Sequence, residues 1–204
     1  MIPVGAKMIM TALLSLTAIV LYALLGGRSR KECMLAMLLS TVGDIFMVDG
    51  VINWEYGVVI GAAAFIAAHF VYAACFKKNI AEAGYEYKNK GFKLGLVLMI
   101  LSAVSLGILA FTVPEEPVTI MYFGILVYIA VIGYNLCTQF SFAFSAKGIY
   151  FILPFAITLF YATDLFIFND MLNIEHSSIG YVWYGYPLAQ LLIVLFNSPL
   201  KKEK

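Results

Sequence analysis

The sequence predicts an all-α fold: a polytopic transmembrane helical bundle of seven spans, forming one domain over residues 1–204. Three observations carry the prediction. Only 12% of the residues are charged while 63% are hydrophobic, about half the roughly 25% charge that a soluble domain needs to face water. The mean hydropathy is +0.93. Several apolar runs approach the roughly 20 residues that a helix needs to cross a bilayer, and the short alternating segments of a membrane β-barrel are not visible.

The spans fall at about 8–25, 33–48, 56–76, 93–113, 118–140, 148–168 and 178–196. The first follows Lys7, is longer than a usual signal core and ends in GGRSRK without an A-x-A cleavage site, so it reads as a retained span. The second carries Asp44 and the third His69. The fifth carries Asn135 and Gln139, one helical turn apart. The sixth carries Asp164 and the seventh Gln190, with Tyr181, Trp183, Tyr184 and Tyr186 at its start as interfacial anchors or cavity lining. The connections (GGRSRKE, DGVINWE, KKNIAEAGYEYKNKG, PEEP, SFAFSAK and NDMLNIEHS) are too short to hold separate domains apart.

Positive charge sets the orientation. With seven spans, every one of the 13 Lys and Arg residues except Lys7 falls on one side. The connections on the other side hold acids and no Lys or Arg. Cytoplasmic loops carry the basic excess, so the N-terminus is expected outside and the C-terminus inside, in a membrane that fits a bacterial plasma membrane. The formal net charge of +1, with no basic face outside the loops, argues against a nucleic-acid partner. Membrane lipids are the expected surroundings; the oligomeric state is left open. Cys33, Cys75 and Cys137 lie singly in apolar runs and read as small buried hydrophobes.

Within this greasy chain one pattern returns. STVGDIFMVDG (40–50) and YATDLFIFND (161–170) each place an Asp near the outer end of a span, followed by [Ile/Leu]-Phe-x-x-x-Asp. Asp44 precedes His69 by 25 residues and Asp164 precedes Gln190 by 26. The two acids are four spans apart and so point the same way. That is the signature of a parallel internal repeat relating spans one to three with five to seven, and such repeats place binding sites between their halves. An acid inside a span costs free energy, which favours a facing pair of carboxyls over two unrelated ones. Asp49 and Asp170 lie at the loop edge and read as solvated turn residues.

Two carboxyls facing each other in a low dielectric hold one proton between them. This is an acid–base couple of the kind glycosidases use on acetal-like bonds. There is no G-x-S-x-G, and the two histidines, His69 and His176, stand apart without HExxH, so neither a nucleophilic triad nor a metal site is expected. His69 shares a face with Phe65 and Tyr72, and Gln190 with Tyr186 and Pro187; each reads either as interhelical glue or as cavity lining. By these boundaries Asp44 lies about four residues from the outer end of its span and His69 about thirteen. At 1.5 Å per residue that is about 14 Å of height, too much for direct contact.

The stretches LLSTVGDIFM, GAAAFIAAHFVYAACF, YATDLFIF and YPLAQLLI resemble, in order and spacing, the motifs of the YhhN-type lysoplasmalogenase family over about residues 36–196. The resemblance implies hydrolysis of the vinyl-ether bond of a lysophospholipid to a fatty aldehyde and a glycerophospho-alcohol, with no metal or other cofactor. It implies Asp44 and Asp164 as the catalytic acids, and Ser40, Gly43, His69, Tyr72, Tyr186 and Gln190 on the other motif positions. Tyr161 and Thr163, beside the second acid, join the expected substrate-binding set. Thr163 stands where the family usually has Ser, Lys7-Met8 replaces an expected Lys-Pro, and members commonly show eight spans against the seven here. The rival reading is a small proton-coupled transporter using the same acids, which would need a polar path to both membrane faces.

Overall fold

The computed structural model describes residues 3–48, 56–112, 119–171 and 179–198, without the side chains of 106, 109–112, 119–123, 168–171 and 179–181. Asp49, His176 and residues 49–55, 113–118 and 172–178 lie outside what is described; Asp170, expected in a turn, lies within α6, and Tyr181 within α7, their side chains undescribed. The described residues form seven α-helices and no strand: α1 (Val4–Leu25), α2 (Arg28–Met47), α3 (Gly57–Glu82), α4 (Lys90–Thr112), α5 (Thr119–Ala146), α6 (Ile152–Met171) and α7 (Ile179–Phe196). A single 3-10 turn, Gly148–Phe151, leads into α6.

Three helices run five or six residues further than hydropathy indicates, all at the end rich in basic residues. The span expected at 33–48 begins at Arg28, and the span expected at 56–76 continues to Glu82. One side chain stitches these extensions together. Arg28 donates to Glu32 one turn on in α2, and to Glu82 and Asn79 of α3 at 2.8 and 3.0 Å. The span expected at 118–140 reaches Ala146 because Phe142 and Ala143 are fully buried and the Ser141 hydroxyl donates to the Tyr87 carbonyl. A hydropathy window reads such turns as loops; ion pairing and packing make them helix.

Neighbouring helices pack as a closed ring in the order α1, α2, α3, α5, α6, α7 and back to α1, with α4 laid against α5 from outside. That approach is close: a Cβ on Gly95 would sit 2.8 Å from the Cys137 backbone. Four stretches are long and apolar enough to cross a membrane: Val4–Leu25, Gly57–Glu82, Gly124–Ala146 and Gly148–Ile167; Val182–Phe196 is a shorter apolar helix. Gly124–Ala146 is the most enclosed of the four.

The distribution of polarity is inverted relative to a water-soluble protein. Ile9, Leu24, Val59, Leu101 and Ile108 are more than half exposed, whereas Thr11, Ser40, Asp44, His69, Asn135, Gln139, Asp164 and Gln190 are buried. Water would penalise that apolar surface; a bilayer does not. The chain fits a multi-pass membrane protein whose polar groups meet inside the bundle. The three cysteines are free and buried. Cys75 is more than a hydrophobe, since its sulfur accepts from Asn197 at 3.5 Å in a polar knot with Ser29 and Asn79 at the basic end.

Candidate active site

Asp44 and Asp164 both point into the ring, 4% and 6% exposed. Asp44, in the last turn of α2, receives two hydroxyls on the same oxygen. Thr11 of α1 donates to its Oδ2 at 2.8 Å and Tyr186 of α7 at 2.9 Å. Asp164, in α6, accepts from Tyr128 of α5 at 2.9 Å. Among the described residues no hydrogen bond joins the two carboxyls directly.

Aromatic rings close the space between these pairs. Tyr186 meets Phe160 edge-on at 5.2 Å, Phe160 meets the His69 ring at 4.8 Å, and His69 meets Tyr128 at 5.9 Å. A continuous path of packed rings thus leads from the partner of one acid to the partner of the other. Edge-to-face geometry is the favoured arrangement for such pairs, so the rings fix the phenols as well as fill space. On α2, Gly43 permits this: a Cβ there would lie 2.6 Å from the Phe65 ring.

His69 makes no direct bond to either acid, yet the α2–α3 pairing, with Gly43 beside Phe65 and Met37 beside Tyr72, sets it about one helical turn below Asp44 rather than the expected height of about 14 Å. It is two ring contacts from Asp44 and packs against the phenol that serves Asp164. Its Nδ1 lies 3.0 Å from the Asn135 amide nitrogen. Asn135 Oδ1 in turn accepts from Gln139 at 3.2 Å. The Tyr72 hydroxyl donates to Gln190 Oε1 at 3.0 Å, and Gln190 donates to Tyr186 at 3.4 Å. Four expected residues, Asp44, Tyr186, Gln190 and Tyr72, therefore form one hydrogen-bonded chain. Ser40 lies one turn below Asp44, and its buried hydroxyl has no partner among the described residues.

Two expected residues turn elsewhere. The Tyr161 hydroxyl pairs with Ser102 of α4 at 2.5 Å. The Thr163 hydroxyl donates to the Phe160 carbonyl at 2.7 Å, and its methyl packs where Gly185 of α7 leaves room. Of the α7 aromatics, Tyr184 faces outward at 69% exposure while Trp183 and Tyr186 face in. Lys7 lies over the Trp183 ring at 5.1 Å, a cation–π contact.

From the sequence, Thr11, Tyr128 and Phe160 have no assigned role, and Asn135 reads only as half of a polar turn with Gln139. A signal existed for the first two. Thr11 and Ser15 sit at i, i+4, and Tyr128, Asn135 and Gln139 lie at i, i+7, i+11, a polar stripe on one face of α5. Among the described residues no three His, Cys, Asp or Glu side chains cluster as a metal site would. A shallow crevice lies apart from the acids, between α1, α2 and α7, lined by Ala18, Leu21, Arg30, Cys33, Met34 and Val194.

No curated protein and no solved structure matches the chain, whereas the family model described as YhhN matches residues 3–197. That match takes in both acids, their hydroxyl partners and all seven helices. The chain belongs to the YhhN family, the lysoplasmalogenase family.

Proposed function

We propose that this protein is an intramembrane hydrolase that cleaves the vinyl-ether bond of lysoplasmalogen-type lysophospholipids, with Asp44 and Asp164 as its acid–base pair. One observation carries the reading: two buried carboxyls from different helices, each held by a hydroxyl, end on one cluster of rings. Family membership supplies the substrate class.

The hydrogen bonds support a division of roles. A carboxylate only accepts, and two hydroxyls converge on one Asp44 oxygen, which suits the ionised partner. Asp164 accepts one hydroxyl and keeps an oxygen for a proton. Asp164 delivers that proton to the β-carbon of the vinyl ether, leaving an oxocarbenium ion that the nearby carboxylates stabilise. Water then adds to the cationic carbon and passes a proton to Asp44. The hemiacetal breaks its bond to the glycerol oxygen, which takes up a proton while the hemiacetal hydroxyl loses one, giving aldehyde and alcohol. A proton moving from Asp44 to Asp164 resets the pair. The sum is vinyl ether plus water to aldehyde plus alcohol, with no redox change.

The same reading takes all seven helices as spans, with an outside N-terminus, an inside C-terminus and two parallel halves, α1–α3 and α5–α7. The acids then lie toward the outer leaflet, and the substrate reaches them by separating α1 from α7, where the ring closes. A carrier would need a polar path across the bundle. Fully buried Ile193 stands between Gln190 of α7 and Asn197 just past its end, and Phe76 and Phe142 pack at 5.1 Å; this apolar packing supports hydrolysis over transport.

The test is aldehyde release from a vinyl-ether lysolipid by the purified full chain, set beside Asp44→Asn and Asp164→Asn. Loss of release in both variants is expected. Full activity in either one, or counterflow of intact lipid without product, would reject the assignment.

A further inference from the structure

His69 is buried at 1% exposure, and its two nitrogens are treated differently. Nδ1 faces the Asn135 amide nitrogen at 3.0 Å. In the orientation the amide takes, its nitrogen donates, Nδ1 presents its lone pair and the ring proton sits on Nε2. Asn135 Oδ1 accepts from Gln139 one turn along α5 at 3.2 Å, the Thr138 hydroxyl donates to the Asn135 carbonyl at 2.7 Å, and Gln139 Oε1 is buried without a partner among the described residues. The relay Gln139–Asn135–His69 therefore runs donor to acceptor and ends on an Nε2–H. That nitrogen is shut from solvent and has no partner among the described residues, an uncommon state for a buried polar group.

A second such group lies at the same level. The α2–α3 pair is antiparallel, with Gly43 beside Phe65 and Met37 beside Tyr72. These contacts bracket Ser40 on one helix and His69 on the other. The Ser40 hydroxyl is likewise buried without a partner, one helical turn below Asp44. A buried water needs about two to four polar partners, and the α2–α3 pairing sets the His69 ring at the level of Ser40, one helical turn from the Asp44 carboxyl.

We infer that Ser40 and His69 hold the attacking water beneath the acids, and that Asn135, fixed by Gln139, is a positioning residue that sets the His69 proton on Nε2. The water oxygen accepts from His69 Nε2–H, one of its O–H groups points to Ser40 Oγ, and the other gives its proton to Asp44 as the oxygen bonds to the oxocarbenium carbon. The role of the water rests on the proposed hydrolysis; the tautomer does not.

The chain has two histidines, so His69 can be read alone. Full-length protein carrying His176→Gln and ¹⁵N-histidine is studied by NMR in lipid nanodiscs, with and without Asn135→Leu. A proton on Nε2 and a bare Nδ1 are expected in the parent, and a tautomer mixture in Asn135→Leu. A proton on Nδ1 in the parent, or an unchanged pattern in the variant, overturns the relay. If Asn135→Leu does not fold, Gln139→Leu breaks the same relay one residue back and is read the same way. In the aldehyde assay Asn135→Leu and Ser40→Ala are expected to lower kcat by about tenfold at unchanged KM. A rise in KM alone would overturn the water role. If the parent releases no aldehyde at all, the hydrolase reading fails while the NMR result still decides the relay.

Discussion

Asp44 and Asp164 sit in corresponding places yet are held differently. Each takes a hydroxyl from the α-helix that precedes its own: Thr11 of α1, 33 residues before Asp44, and Tyr128 of α5, 36 residues before Asp164. The difference lies in the partner that crosses over. Tyr186, four residues before Gln190 on α7, reaches Asp44. By spacing its counterpart is Phe65, four residues before His69 on α3, which has a ring in the cluster but no hydroxyl. One missing oxygen leaves Asp164, among the described residues, with a single donor and Asp44 with two. Near-repeated segments can therefore deliver two identical side chains into unlike environments, which is what an acid–base pair requires.

Removing either carboxyl breaks that comparison outright. In the proposed reaction Asp164→Asn takes away the proton donor and Asp44→Asn the acceptor, and each is expected to lower aldehyde release by about a hundredfold or more, measured by mass spectrometry of the product. The hydroxyls sharpen it. Tyr186→Phe withdraws a hydrogen bond to a charged group, worth about 1.5–3 kcal/mol, so about a tenfold fall or more in kcat is expected. Thr11→Val acts on the same oxygen in the same direction. If the halves were equivalent, Tyr128→Phe would behave alike; the proposed roles instead give Tyr128→Phe the smaller effect, because the proton on Asp164 needs no second donor.

Two further variants test the frame around the site. Gly43→Ala drives a Cβ into the Phe65 ring beside Asp44 and is expected to cost about 1–3 kcal/mol of stability, seen as an earlier thermal transition in detergent. Arg28→Ala unpicks the α2–α3 stitch at the basic end. Its side chain is 29% exposed, so a loss of about 1 kcal/mol or less is expected, with aldehyde release unaffected.

The helical class and the positions of the seven helices were legible because an apolar run long enough to span lipid has few alternatives. The basic-end turns of α2 and α3 were not, since they depend on Arg28 meeting Glu82 from 54 residues away. The acids were legible because a carboxyl in an apolar run is costly and both recur in similar surroundings. Thr11 and Tyr128 were hidden by the reverse logic: hydroxyls in apolar helices are cheap and common. Thr163 drew attention as the neighbour of Asp164, but adjacent residues on a helix point about 100° apart, and its side chain turns to α7 instead. Asn135 was visible as a polar turn on α5; only the fold shows that its partner is His69.

The central claim is that these two carboxyls protonate a carbon and then admit water. Aldehyde formed from a vinyl-ether lysolipid in D₂O tests it most directly. The account predicts a single deuterium on the carbon next to the aldehyde group, and loss of that labelled product in both Asp44→Asn and Asp164→Asn. Unlabelled aldehyde, or labelled aldehyde released by Asp164→Asn at the parent rate, would contradict it.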